Sequence, residues 1–312
     1  MARHVVVGAG QVGTHLARLL LTRGHQVVVV TRSGSGPDDA ECVAADVTDR
    51  DRLTRIVEGA AALHNCAGPP YTRWAQDWPP LAAALLGAAE STGAVLVTAG
   101  NLYGYGPVEG PMTEDLPLAA TGTKGRVRIA MWAEALSAHQ EGRAKVTEVR
   151  SSDYFGPGAS DQTPAGTRFV PSLLAGKRTL FLGDPDQPHS WTYLPDVATA
   201  MAAVADAPSA WGRAWHVPNS PAVSARTLAE RLCSLAGAPA PRLSRPPALV
   251  RRALELANPL VRELRETRYQ FDRPFVVDST AFEEAFGVSA TPLDDALRAT
   301  IASMAATPHD PT

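Results

Sequence analysis

Residues 5–13 read Val-Val-Val-Gly-Ala-Gly-Gln-Val-Gly. A short apolar run ends in a G-x-G-x-x-G. The residues that follow, Gln11–Arg23, carry Val12, Leu16, Leu19 and Leu20 at helical spacing. A glycine turn between a strand and a helix is the context in which this motif holds a pyrophosphate. Gly8 permits the tight turn, Gly10 lets the backbone approach the ligand, and Gly13 lets the helix pack closely on the strand. The helix start adds N–H groups and a positive dipole end. Gln11 and Val12 complete the candidate cofactor loop. A strand that feeds a crossover helix returns parallel to itself, so the unit also constrains the rest of the sheet.

The chain continues in that alternation. Gln26–Val30, Cys42–Ala45, Ala61–Cys66, Ala94–Thr98 and Lys145–Arg150 read as strands. Asp49–Gly59, Pro79–Ser91 and Lys124–His139 read as helices, the first capped by Thr48 or Asp49. Alternating strands and helices imply a doubly wound parallel sheet, an α/β fold covered on both faces. After about Gly156 the pattern loosens, and Pro and Gly become frequent. Asp196–Ala207, Ala225–Ala236 and Leu249–Ala257 still read as helices. Thr291-Pro292-Leu293-Asp294 resembles a helix start, with a cap, an N1 proline and an early acid. Thr307–Thr312 reads as a frayed end.

The chain has 312 residues, which at roughly 150 per domain suggests two domains. The expected division is a nucleotide-binding part over 1–155, joined by part of 190–207, and a smaller C-terminal α/β substrate part over 156–312. Net charge is −3, with 45% hydrophobic and 20% charged residues, so no basic footprint marks nucleic acid or an anionic membrane as a partner. Cys42, Cys66 and Cys233 are odd in number and lack metal-ligand spacing, which reads as free thiols and no metal. No apolar stretch has the length of a signal core or a membrane span, and the expected location is the cytoplasm. Only Lys124, Lys145 and Lys177 are lysines, so a lysine at a chemical position stands out.

The end of the second strand selects the nucleotide. A carboxylate there, about 20 residues beyond the loop, accepts from the adenosine ribose and favours NAD. This chain has Thr31-Arg32-Ser33 and no acid before Asp38. Arg32 and Ser33 suit a 2′-phosphate, so NADP(H) is expected over NAD(H). Asp46 and Val47, after the third strand, are candidate adenine neighbours, with Asp46 equally a candidate helix cap.

With these residues in place, the chain resembles the extended short-chain dehydrogenase/reductases of the NAD(P)-dependent epimerase/dehydratase type. The resemblance covers nearly the whole chain. It rests on the glycine loop, His64-Asn65-Cys66-Ala67-Gly68, Leu102-Tyr103-Gly104, Arg150-Ser-Ser-Asp153-Tyr-Phe-Gly156-Pro157-Gly158, Trp191-Thr-Tyr193-Leu-Pro-Asp196-Val-Ala and the late Asp278-Ser-Thr. It implies a Rossmann fold, with Ala67 and Gly68 at the cofactor. It also implies a homodimer paired through two helices, for which Pro79–Ser91 and Lys124–His139 are the candidates.

The resemblance further implies a Ser/Thr–Tyr–Lys set, in which Tyr exchanges a proton with the substrate oxygen and Lys holds the ribose. This sequence departs from it. Ala99 stands where Ser or Thr belongs, and the neighbouring Thr98 points to the other side of a strand. In one register Lys124 replaces the tyrosine and Arg128 the lysine. In a slipped register Lys124 is the lysine and Ala120 takes the tyrosine position. Lys124 and Arg128 share a helix face at i and i+4. A desolvated Lys124 suits general acid–base work, with Arg128 on the ribose. The other reading gives both residues to ribose, phosphate or an anionic substrate. Tyr103, Tyr105, Tyr154 and His189 are the substitute proton donors, and Asn101, Tyr105, Asp153, Tyr154 and His189 the candidate substrate contacts. A carboxylate at Asp153 would repel a sugar-nucleotide pyrophosphate; its other reading is an arginine pair or a turn cap.

The leading expectation is an NADP(H)-dependent oxidoreductase acting on a small or medium carbonyl or hydroxyl compound. The alternatives are an epimerase, isomerase or dehydratase that regenerates its cofactor internally, and a non-catalytic NADP(H)-binding sensor. Fold alone does not choose among them.

Overall fold

The computed structural model describes residues 1–161 and 163–306; the end read as frayed, 307–312, lies outside the described residues. Val5, Val6 and Val7 are all buried, as a strand covered on both faces requires. They form β1 (Arg3–Val7), which pairs in parallel with β2 (Gln26–Thr31) through Val5↔Val28 and Val6↔Val29. On its other side β1 pairs in parallel with β4 (Ala62–Asn65), Val6 opposite His64. β3 (Glu41–Ala44), β5 (Val95–Asn101) and β6 (Lys145–Ser151) extend the sheet, and Ala214–His216 closes it as a seventh strand. The order is Ala214–His216, β6, β5, β4, β1, β2, β3, with every pairing parallel. Strand order therefore reverses between β1 and β4. In such a sheet the crevice at the carboxyl ends of those two strands is where ligands bind.

Side chains alternate along each strand, and each face has its own core. Val6, Val29, Val97 and Val149 meet Leu16 and Leu20 of α1 (Gln11–Thr22) and Met201 of the helix Leu194–Asp206. Val5, Val28, Leu63 and Leu96 meet Leu53 of α2 (Arg50–Val57) and Trp78 and Leu85 of α3 (Trp74–Thr92), with α4 (Thr123–Gln140) beside them. A third core joins Phe169, Phe181, Trp191, Leu228 and Leu297 in the second half of the chain.

Two elements differ from the sequence reading, and at a third the structure decides between two alternatives. α3 starts at Trp74 rather than Pro79 and carries Pro79 and Pro80 inside it. Tertiary anchoring outweighs the prolines: Trp74 and Trp78 are buried edge to face, and Trp74 Nε1 donates to Pro69 O at 3.1 Å. Asp49, not Thr48, caps α2 by accepting from Arg52 N. The late helix runs Leu293–Ala306, but Thr291 is drawn away from a capping role, giving its N–H and hydroxyl to the Asp196 carboxylate at 2.9 and 2.7 Å. Among the described residues no helix is long and apolar enough to cross a membrane.

Candidate active site

The glycine loop lies at the reversal of strand order, and each glycine has a distinct physical reason. Gly8 has φ +95°, and an added Cβ would stand 2.8 Å from the Cys66 carbonyl oxygen. At Gly13 a Cβ would overlap the Gly8 carbonyl oxygen. At Gly10 a Cβ would meet nothing within 4 Å, so open space lies against the backbone where α1 begins. That space and the uncapped N–H groups of α1 fit the pyrophosphate of a nicotinamide dinucleotide. Gln11 turns from the loop: its Oε1 accepts from Ser160 N at 2.8 Å, while His15 Nε2 lies 2.7 Å from Pro157 O. Val12 is buried in the core and supports the loop from behind.

Arg32 and Ser33 are exposed at the end of β2, with Ser33 Oγ 2.8 Å from Ser35 Oγ. The Asp46 carboxylate accepts from Thr48 N and Oγ1, and these bonds, more than the nearby Arg32, hold it below the usual carboxylate range. Val47 packs on the core. Ala67 N donates to Asn65 Oδ1 at 3.2 Å, and Gly68 borders open space.

Lys124 is almost wholly buried and its ammonium is closed by two carboxylates from a distant segment. Nζ lies 2.6 Å from Glu263 Oε2 and 3.4 Å from Glu266 Oε2, and 5.0 Å from the Tyr71 ring centre. Lys124 N also donates to Glu266 Oε1 at 2.6 Å. Gly122 makes room, since a Cβ there would overlap that same oxygen. One turn on, the Arg128 guanidinium lies between the indoles of Trp74 and Trp78, 4.8 and 4.4 Å from their rings. Its Nε and Nη1 are buried with no hydrogen-bond partner among the described residues. Burial works against its charge, and Glu148 opposes that. A cavity of about 30 Å³ beside it is also lined by Thr98, Asn65, Thr147 and Glu148. Thr98 and Arg128 thus line one cavity, on the sheet side of α4.

The Tyr71 hydroxyl donates to the Tyr103 hydroxyl, and Tyr71 also bonds to Thr267. Burial pushes both phenols above their ordinary range, so both stay protonated at neutral pH. Asn101 Oδ1 caps the turn before them by accepting from Tyr103 N at 3.2 Å. Asp153 Oδ2 lies 3.0 Å from His189 Nε2, and His189 Nδ1 lies 3.1 Å from Gln270 O. The imidazole is stacked on Phe271 and Phe275. The Asp153 charge reaches Tyr71, Tyr103 and Tyr269, which ties this pair to the Lys124 cluster.

One candidate lies apart from these groups. Tyr105 is fully buried and holds Arg150 Nη1 and His216 Nε2, both at 2.7 Å. Tyr154 is raised by burial and stands near the charges of Arg128 and Asp153, as Tyr71 does. The sequence reading missed Tyr71, Glu263, Glu266 and Thr267. Glu263 and Glu266 have helical i, i+3 spacing, but nothing in their neighbourhood points to a lysine about 140 positions earlier.

A parallel sheet with its strand order reversed at a glycine loop fits a dinucleotide-binding protein, and comparison with known proteins narrows the class. The chain belongs to the NAD dependent epimerase/dehydratase family, an enzyme family whose model matches residues 4–217. It is 26% identical over 231 residues to UDP-N-acetyl-alpha-D-glucosaminuronate decarboxylase of Bacillus cytotoxicus, covering 64% of this chain and 69% of that protein. Its fold is similar to UDP-glucose 4-epimerase of Thermotoga maritima, solved with UDP-glucose (TM-score 0.80, 18% identity, 97% of this chain and 98% of that one). It is also similar to UDP-glucuronic acid 4-epimerase of Bacillus cereus, solved with UDP-glucuronic acid and NAD (TM-score 0.76, 16% identity, 97% and 99%). At these identities the two structures speak for the fold.

Proposed function

We propose that this enzyme carries out a redox-neutral change at a hydroxyl-bearing carbon, of the epimerase, dehydratase or decarboxylase kind, and keeps its nicotinamide cofactor between half-reactions. This was the alternative to net oxidoreduction in the sequence reading, and the family favours it. The observation that carries it is the clasp beside the glycine loop: Gln11 to Ser160 and His15 to Pro157 tie the start of α1 to the segment after β6. A segment fastened beside the open glycine loop would border a bound cofactor, which suits one that is retained. With the chain an enzyme of this family, the sensor reading has no observation in its favour.

When bound, the nicotinamide cofactor supplies a hydride acceptor and then a hydride donor. Gly8, Gly10 and Gly13 would hold its pyrophosphate, Asp46, Val47, Ala67 and Gly68 its adenine side, and Arg32 with Ser33 a 2′-phosphate. On that basis NADP(H) is favoured over NAD(H). Beside the substrate side, Lys124 is held by Glu263 and Glu266 and fastens the segment that carries them to the start of α4. The protonated Tyr71–Tyr103 pair donates a hydrogen bond. Asp153, oriented by His189, accepts from a substrate hydroxyl. Arg128 steadies α3 against α4, and the ribose role assigned to it by resemblance has no contact here in its favour. We read the chain as a cofactor part over 1–155, joined by part of 190–207 and by the strand Ala214–His216 of the same sheet, and a substrate part over the rest of 156–312, working as a cytoplasmic homodimer.

The test is turnover under two readouts at once. Product is followed by NMR, and absorbance at the reduced-nicotinamide band is followed in the same cuvette. The expected result is product without net absorbance change, with cofactor released only on denaturation. Equimolar build-up of reduced or oxidised cofactor with product would return the reading to net oxidoreduction. Titration with NADPH, NADP+, NADH and NAD+ by tryptophan quenching tests the nucleotide preference.

A further inference from the structure

We infer that the segment 248–265 docks on the surface of an anionic lipid bilayer. The whole chain has a net charge of −3 and gives no such footprint, but residues 242–265 hold six arginines, two glutamates and no aspartate. The helix Ala248–Ala257 is reversed relative to a helix that faces water. Its ion-paired side turns inward. Arg251 and Glu255 keep 21% and 17% side-chain exposure, and Glu255 Oε1 lies 3.8 Å from Arg251 Nε and 3.2 Å from Arg268 Nη1. Its apolar side turns outward. Leu249 is 83% exposed, and Leu256, seven residues on and so on the same face, is 80% exposed. Val250 and, in the following helix Pro259–Glu263, Leu260 are exposed as well. Such a grouping of bare apolar side chains marks an interaction surface.

The orientation is fixed from behind. Ala248–Ala257 packs on Pro259–Glu263, which packs on Tyr71–Arg73, and Glu263 is fastened to Lys124 at 2.6 Å. Both glutamates of the stretch are therefore engaged by cations of their own chain. Arg242, Arg252, Arg262 and Arg265 are exposed, and none of them has an ion-pair partner among the described residues. The occupant must offer hydrocarbon and negative charge together. A second copy meeting this face through a two-fold axis would bring one set of arginines against the other. A leaflet of anionic lipid supplies headgroup phosphates for the arginines and acyl chains below them for the leucines. No helix among the described residues is long and apolar enough to cross a bilayer, so the segment lies on the surface. The inference stands apart from the reaction proposed above.

The experiment is co-sedimentation of the full chain with vesicles of phosphatidylglycerol and phosphatidylcholine in equal parts, beside vesicles of phosphatidylcholine alone. Partition into the anionic vesicles is expected, at least about tenfold weaker on the neutral ones and in about 0.5 M salt. Leu249→Glu/Leu256→Glu should lower it at least about tenfold with the melt unchanged, since both side chains already stand in water. Arg252→Gln/Arg262→Gln should weaken it by about tenfold, again with an unchanged melt. No partition of the unmodified chain into anionic vesicles would overturn the inference, and so would equal partition of the leucine variant. Sedimentation velocity without lipid is the last arm: a smaller assembly for the leucine variant would assign the face to a contact between copies and overturn the lipid assignment.

Discussion

At Gly13 and Gly10, three residues apart, an added methyl group has opposite consequences. A Cβ at Gly13 overlaps backbone that cannot yield, whereas one at Gly10 enters open space. Gly13→Ala should cost about 1–3 kcal/mol of stability and weaken cofactor binding with it. Gly10→Ala should leave the melting temperature unchanged and weaken cofactor binding alone, as paired melts and titrations would show. A second residue-scale prediction concerns His4 and His64, buried with His4 Nδ1 and His64 Nε2 3.1 Å apart and their outer nitrogens unpartnered among the described residues. Burial, then the neighbouring ring, pushes His64 down to about 3. The folded chain thus binds fewer protons than the unfolded one below about pH 6.5. Stability from the neutral ring is fully present above that pH. It is lost on acidification toward pH 3, by up to about 1.4 kcal/mol per pH unit. Urea melts from pH 7.5 to pH 5 should show this slope, and His4→Leu/His64→Leu should flatten it.

At the scale of elements, the segment 259–267 crosses the start of α4 and joins Glu263 and Glu266 to Lys124 and Thr267 to Tyr71. Breaking a buried ion pair from one side leaves uncompensated charge. Here the two glutamates keep 34% and 25% side-chain exposure, so Lys124→Met should cost about 1–2 kcal/mol rather than the full buried-pair penalty. Adding Glu263→Gln and Glu266→Gln should recover most of it. A thermal-melt mutant cycle measures the coupling; additivity would mean that Lys124 and the glutamates do not hold each other.

At the scale of the molecule, α4 is apolar on more than the side that meets the sheet. Val127, Met131 and Trp132 pack on the core, while Ile129 and Leu136, seven residues apart, stay partly exposed on another face. That face suits pairing with a second copy. Sedimentation should show a dimer, and Leu136→Glu should shift it to monomer with little change in the melt.

The sheet, its parallel pairing and the glycine loop were legible in the chain because each rests on neighbours. Apolar alternation sets a strand, a cap such as Asp49 sets a helix start, and Gly8 through Gly13 occupy one turn. The site was legible only in part. Lys124, Arg128, Tyr103, Asp153 and His189 announced themselves by type and position, but their partners did not. Whether Lys124 meets an anionic ligand or the chain's own glutamates depends on which segments the fold brings together. So does whether Arg128 faces a ribose or two indoles, and whether Tyr105 faces a substrate or Arg150. The sequence by itself determined the strand–helix alternation and the nucleotide loop, since local patterning and backbone sterics act within a few residues. Only the tertiary structure decided the charge state and contents of the site, because burial and ion pairing act through space between residues more than a hundred positions apart.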